Sequence, residues 1–344
     1  MFKRCLGASA FITVAALYTA TAAAEPITLK VAHFLPPTAP GHTQFIEPWC
    51  EKIKTESQGE LQCEIYPAMQ LGGTPAQLYN QVRDGVADVV WTLPGYTAGR
   101  FPITEAFELP FITAEPEPSS KALWDFVQDN ALDEFKGVQL IGAWVNGPNQ
   151  LHMREQPIRE LADIKGLKVR APSRLGNRLL ATLGATPVGM PVPQMAESLS
   201  KGVIDGALVP WEVLPATKTH ELTKYHTDMA QGHTMTTATM IYAMNQRTYD
   251  NLADHLKAVI DNNSGADLSA WAATQFQAAD ATGRKAAEDR GNEVIILSAE
   301  ETQQWQEAAE PVISSWVKDI SRKGKDGEQL VEQVRSLVKK YSER

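Results

Sequence analysis

The chain has 344 residues, 43% of them hydrophobic, with 32 Lys and Arg against 41 Asp and Glu and a formal net charge of −9. That content supports a substantial folded core, and an acidic balance with no basic run argues against nucleic acid as a partner. Its three cysteines form no CxxC pair and have no histidine beside them, so they make no metal site.

The first residues read as an export signal. Lys3 and Arg4 are a basic start, Leu6 to Tyr18 is mostly apolar, and Ala22-Ala23-Ala24 offers a small-residue cleavage site before Glu25. The apolar run is too short and alanine-rich to anchor in a bilayer. Cys5 precedes that run and does not sit at the cleavage point, which argues against a lipoprotein. A signal peptide over 1–24 implies a periplasmic mature chain. Losing Lys3 and Arg4 leaves 30 cations against 41 anions, a formal charge of −11.

From Glu25 onward the pattern alternates strand and helix. Ile27 to His33 alternates as a strand and ends in a loop at Pro36-Pro37. Gly41 opens a helix to about Ser57, with Phe45, Ile46, Trp49 and Ile53 on one face. Leu61 to Tyr66 is a second strand. Thr74 caps a helix that Gly85 ends, and Ala87 to Trp91 is a buried strand stopped by Pro94. Cys50 faces inward on the helix and Cys63 inward on the second strand. In an oxidising compartment the expectation is a disulfide, with two buried thiols as the alternative. The order βαβαβ predicts a mainly parallel sheet with ligand contacts at strand C-termini.

Val138 to Val145 is a further strand. A short polar helix, Leu161 to Lys165, is then stopped by Gly166, and the strand Leu167-Lys168-Val169 delivers Arg170 to its end. Pro172 forbids further ladder pairing. A guanidinium at a strand tip can hold a carboxylate through its planar fork. A helix at 175–183, a strand at 186–188 and a helix at 193–199 follow. GVIDGALV at 202–209 then echoes GVADVVWT at 85–92, so two lobes built alike are expected. Thr237 to Met244 is sheet-like, 267–290 is a long alanine-rich helix, 293–297 a last strand, and 302–320 and 328–341 amphipathic helices. Short crossovers near Gly147 and Gly232 are the candidate hinges.

KGLKVRAP, preceded by Asp163, resembles the signature of the solute-binding proteins of TRAP (tripartite ATP-independent periplasmic) transporters. FELPF at 107–111, LGATPVGMPV at 183–192 and GVIDG at 202–206 match the same family in the same order. The resemblance implies an α/β fold of the two-lobed periplasmic binding protein kind (type II-like), with mainly parallel sheets and a long helix bracing both lobes. It implies lobe I from 25–147 plus 238–275 and lobe II from 148–237 plus 276–344, with the C-terminal helices. It also implies that Arg170 grips an organic acid, which passes to the small and large membrane subunits without any cofactor.

Candidate walls are Trp91, Trp144 and Trp211 with Tyr96, aromatics at strand ends expected to converge on one cleft. Each tryptophan taken singly is more often core. His33 and His152 are candidates as cleft histidines or as satisfied structural ones. Arg174 binds ligand or pairs with an acidic neighbour. Members that bind sugar acids carry a second arginine after Asn-Gly; here Asn146-Gly147 leads to Pro148-Asn149, so Asn149 stands near its place. Val209 and Val192 replace an amide and an aromatic. A polyhydroxylated solute would leave hydroxyls unpaired, at about 1–3 kcal/mol each. The pattern favours a monocarboxylate with an apolar or aromatic body.

Three rival functions stand beside this one. For an enzyme, no GxSxG, HExxH, Walker loop or GxGxxG occurs, so catalysis is not expected. The binding protein of an ATP-driven importer shares the architecture, but FELPF and KGLKVRAP favour the TRAP kind. A periplasmic sensor could use the same fold.

Overall fold

The structure is a computed structural model and describes residues 25–113 and 115–343. The signal peptide read at 1–24 lies outside the described residues.

The strands in chain order are β1 (Ile27–Ala32), β2 (Leu61–Tyr66), β3 (Val89–Thr92), β4 (Val138–Val145), β5 (Gln150–Met153), β6 (Lys168–Ala171), β7 (Thr186–Gly189), β8 (Gly206–Val209), β9 (Tyr225–Asp228), β10 (Thr239–Asn245) and β11 (Glu293–Ile296). They form two sheets, ordered β2-β1-β3-β10-β4 and β11-β9-β5-β8-β6-β7. In the first, β1 runs parallel to β2 and β3; in the second, β6 runs parallel to β7 and β8. Each parallel triple is extended by an antiparallel strand, β10 against β3 and β5 against β8. Both arrive by crossing from the other lobe, and every other strand of each sheet points the same way, so the sheets are mainly parallel, as the sequence led us to expect.

The sequence echo has a structural cause. Asp88 and Asp205 each lie just before a strand and accept from the main chain of the neighbouring one, at Lys30 (2.9 Å) and Lys168 (2.8 Å). Each aspartate returns its own N–H to the same residue's carbonyl, at 2.9 and 2.7 Å. The two motifs therefore lock the same strand pairing in two lobes.

The long helix Gly265–Glu288 braces both lobes. Phe276 packs on Trp91 and Trp144 of the first lobe, with ring centroids at 5.3 and 5.8 Å. Further along, Asp280 accepts from the Glu212 N–H at 2.9 Å, and Arg284 pairs with Asp228. Gly283 lets the helix press on the second lobe, because a Cβ there would stand 1.9 Å from the Trp211 carbonyl oxygen. Gly147, at the first crossover, is held likewise against Asp280, whose carboxylate would be 2.5 Å from an added Cβ.

Two elements differ from the sequence reading. The helix Pro116–Asn130 was not predicted. The C-terminal helix Gly327–Ser342, expected with the second lobe, carries Tyr341, whose hydroxyl donates to Asp125 of Pro116–Asn130 in the first lobe at 2.5 Å. Its apolar stripe, Leu330, Val331, Val334 and Val338, is buried there. Cys50 and Cys63 are joined, with Cα atoms 5.8 Å apart.

Candidate ligand-binding site

Arg170 reaches the cleft because β6 ends one residue after it. Its side chain is 1% exposed. Two of its nitrogens are anchored on the main chain, Nε donating to the Met190 carbonyl at 2.9 Å and Nη1 to that of Leu208 at 3.0 Å. Nη2 is buried and has no hydrogen-bond partner among the described residues. Burial pulls the guanidinium pKa down, opposed by the Tyr96 hydroxyl beside it. Arginine nonetheless stays charged, and a buried cation with no counter-ion carries a desolvation penalty that an anionic ligand would offset.

A second free donor comes from the first crossover. The Asn149 main chain is fixed by its N–H bond to Thr236 at 2.9 Å, while its side-chain Nδ2 is buried and unpartnered. Arg170 and Asn149 line one common cavity between the strand ends of the two lobes. The cavity's walls are largely apolar, with Phe34, Trp91, Tyr96, Val192, Val209 and Met240 among them. The Phe34 ring lies 4.9 Å from Trp91 and meets Tyr96 edge-on at 5.4 Å. Tyr96 ties the two lobes by accepting from the Val192 N–H at 3.2 Å. Glu212 also lines the cavity, and both its carboxyl oxygens are buried without a partner. Burial, reinforced by the Asp280 charge, pushes its carboxyl well above the usual range.

Two inward donors and apolar walls can hold a small carboxylate and enclose its body. Among the described residues no group of three His, Cys, Asp or Glu could hold a metal ion.

Of the residues singled out in the sequence, Arg170, Trp91, Tyr96, Asn149, Val192 and Val209 line this cavity; Trp144, Trp211, His33, His152 and Arg174 do not. Trp144 sits in the first lobe's core against Phe45 at 4.9 Å, because the alternation of β4 turns it toward the brace helix. Trp211 lies behind the cavity, its Nε1 donating to Asp228 at 3.2 Å and its ring meeting His152 edge-on at 4.9 Å. His33 is a buried structural histidine, bonded to His42 at 2.8 Å and accepting from the Leu35 N–H at 3.3 Å. His152 is bonded to His226 at 2.7 Å and to the Val209 carbonyl at 3.0 Å. Burial drives all three of these histidines toward the neutral form, His33 down to about 3 and His226 to about 4. Arg174 takes the pairing alternative: it donates to Glu105 and, at 3.1 Å, to Asp319.

Phe34, Met240 and Glu212 were not singled out. Met240 comes from the crossing strand β10, which no local pattern places beside the cleft. Glu212 carried a signal, an acid two residues beyond the proline that ends β8.

No described helix is long and apolar enough to cross a membrane. Residues 31–319 match the family described as bacterial extracellular solute-binding protein, family 7. The chain is 46% identical to a TRAP solute-binding protein from Rhodoferax ferrireducens solved with copurified benzoate, over 92% of this chain and 99% of that one, with a TM-score of 0.91. It is 44% identical, over 92% and 99%, to a marine-metagenome TRAP solute-binding protein specific for aromatic acids and co-crystallised with 3-hydroxybenzoate, with a TM-score of 0.90. A Bordetella bronchiseptica protein solved with both mandelate enantiomers is 27% identical over 92% and 99%, with a TM-score of 0.84.

Proposed function

This chain belongs to family 7 of the bacterial extracellular solute-binding proteins, the solute receptors of TRAP transporters, and we propose that its cavity takes a monocarboxylate with an aromatic body. The observation that carries this reading is Arg170, a buried guanidinium with Nη2 free inside a mostly apolar cavity. The solute's carboxylate accepts from Arg170 Nη2 and Asn149 Nδ2, and its ring lies between Trp91, Phe34 and Met240. A dicarboxylate would bring a second charge that meets no second cation among the described residues of the cavity wall, at a penalty of several kcal/mol. The benzoate, 3-hydroxybenzoate and mandelate of the similar structures are all of the favoured class.

In this reading residues 1–24 direct export and are removed, the protein works in the periplasm, and the lobes close over the solute about the crossovers at 146–149 and 229–238. The closed form then hands the solute to the small and large TRAP membrane subunits. The protein performs no chemistry on it.

The test is a thermal-shift screen over aromatic monocarboxylates, branched 2-oxo acids, C4-dicarboxylates and sugar acids, followed by calorimetry on Arg170→Ala. A solute at about 1,000 times its Kd adds roughly 4 kcal/mol and raises Tm accordingly. The alanine variant should lose about 3 kcal/mol of affinity, and Arg170→Lys should recover little of it. Stabilisation confined to dicarboxylates or sugar acids, or wild-type affinity in the alanine variant, would refute the reading.

A further inference from the structure

Glu212 is out of place in a receptor for an anion. It is 1% exposed, shares a cavity wall with Arg170, and has neither oxygen paired. Among the described residues it forms no ion pair, so the cavity's cation and its acid both face the same space without meeting. Its main-chain N–H donates to Asp280 at 2.9 Å, which holds the residue in place and leaves the carboxyl free. An ionised Glu212 would repel the solute that Arg170 attracts, and burying that charge unpaired is strongly disfavoured. Kept neutral, the group offers one O–H donor and a carbonyl acceptor. That pairing is what a hydroxyl group, itself a donor and an acceptor, can satisfy. A plain hydrocarbon ring would leave both oxygens of Glu212 orphaned.

We propose that Glu212 is a specificity-determining residue that selects aromatic acids bearing a hydroxyl in addition to the carboxylate. The proposal rests on the aromatic-acid reading above and sharpens it. Arg170 and Asn149 take the carboxylate, and Glu212 exchanges hydrogen bonds with the hydroxyl. A site built to bond a hydroxyl discriminates strongly against the analogue that lacks it, because the site's own polar group is then left unpaired.

Calorimetric Kd values for benzoate, 3-hydroxybenzoate and 4-hydroxybenzoate, on the wild type, Glu212→Ala and Glu212→Gln, test this. In the wild type one of the two hydroxybenzoates should bind about tenfold or more tightly than benzoate. Glu212→Ala should bring that ratio to about one, and Glu212→Gln, neutral and isosteric, should keep part of it. Since the Glu212 side chain makes no hydrogen bond among the described residues, both variants should fold; if one does not, the ratio in the other decides. A wild-type ratio near one, or a ratio that neither substitution changes, overturns the assignment while leaving the aromatic-acid reading in place. Equal losses for benzoate and hydroxybenzoate also overturn it, placing Glu212 on the carboxylate instead. If none of the three acids binds the wild type, the aromatic-acid reading itself fails.

Discussion

Replacing Gly283 by alanine sets two effects of opposite sign against each other. Alanine is the better helix former by about 1 kcal/mol, so propensity alone predicts a more stable brace helix. The packing predicts the reverse. A methyl at 283 would stand 1.9 Å from the Trp211 carbonyl oxygen and 2.5 Å from its carbon. Ordinary contacts lie at about 3.5–4.0 Å, so helix and loop must separate by about 1.5 Å. Neither partner can yield as a flexible side chain would, since one is backbone and the other is the helix itself. Overpacking of this kind costs about 1–3 kcal/mol. The shift also stretches the bond from the Glu212 N–H to Asp280, worth about 1.5 kcal/mol. After subtracting the propensity gain, a net loss of about 2–3 kcal/mol remains. Thermal unfolding of Gly283→Ala without ligand should show Tm lowered by several degrees. The affinity for an aromatic acid should fall as well, because Glu212 moves with the loop. A Tm equal to or above the wild type would mean that the helix and the second lobe are not in the tight contact described.

Other expectations follow from the same contacts. Arg174→Ala removes the bond between the lobes at Glu105 and should weaken solute binding about tenfold, though it touches no solute; unchanged calorimetric affinity would refute its role in closure. His33 and His226 are held neutral by burial, so the unfolded chain binds more protons than the native one below pH 6.5. Their stabilisation is full above that pH and is lost progressively toward about 4 for His226 and about 3 for His33. Between pH 7 and pH 5 each should cost about 2 kcal/mol, read from urea midpoints at the two pH values. The Cys50→Ser, Cys63→Ser double variant opens a cross-link spanning 13 residues and should lose about 3 kcal/mol in the same assay. Small-angle scattering should give a smaller radius of gyration at saturating aromatic acid, and an unchanged profile would contradict closure.

The sequence made the repeated βαβαβ runs legible because hydrophobic periodicity and glycine stops are local. It also made Arg170 legible, since Pro172 marks the strand end. The strands β5 and β9 escaped it. Each has four residues, and each is defined by pairing with a segment far along the chain. The tryptophans failed for a related reason. Position at a strand end says nothing about which face meets the cleft, and Trp144 and Trp211 fall on faces covered by the brace helix and by His152. His152 finds its partner His226 at a separation of 74 residues, beyond the reach of any local pattern. Glu212 was overlooked because a single acid in a loop looks like a solvated residue until its burial is seen.

The crossing strands have a consequence for how the protein is made. β10 lies between β3 and β4, so the first sheet has a gap in it until the chain has passed through most of the second lobe and returned. A nascent chain ending at Val145 would expose unpaired edges on both sides of that gap, and would be unable to bury its core. Such a chain stays loosely structured while it is synthesised. Under the export proposed above, that is the state in which a chain threads through a translocase. The first lobe is complete only once the return strand arrives.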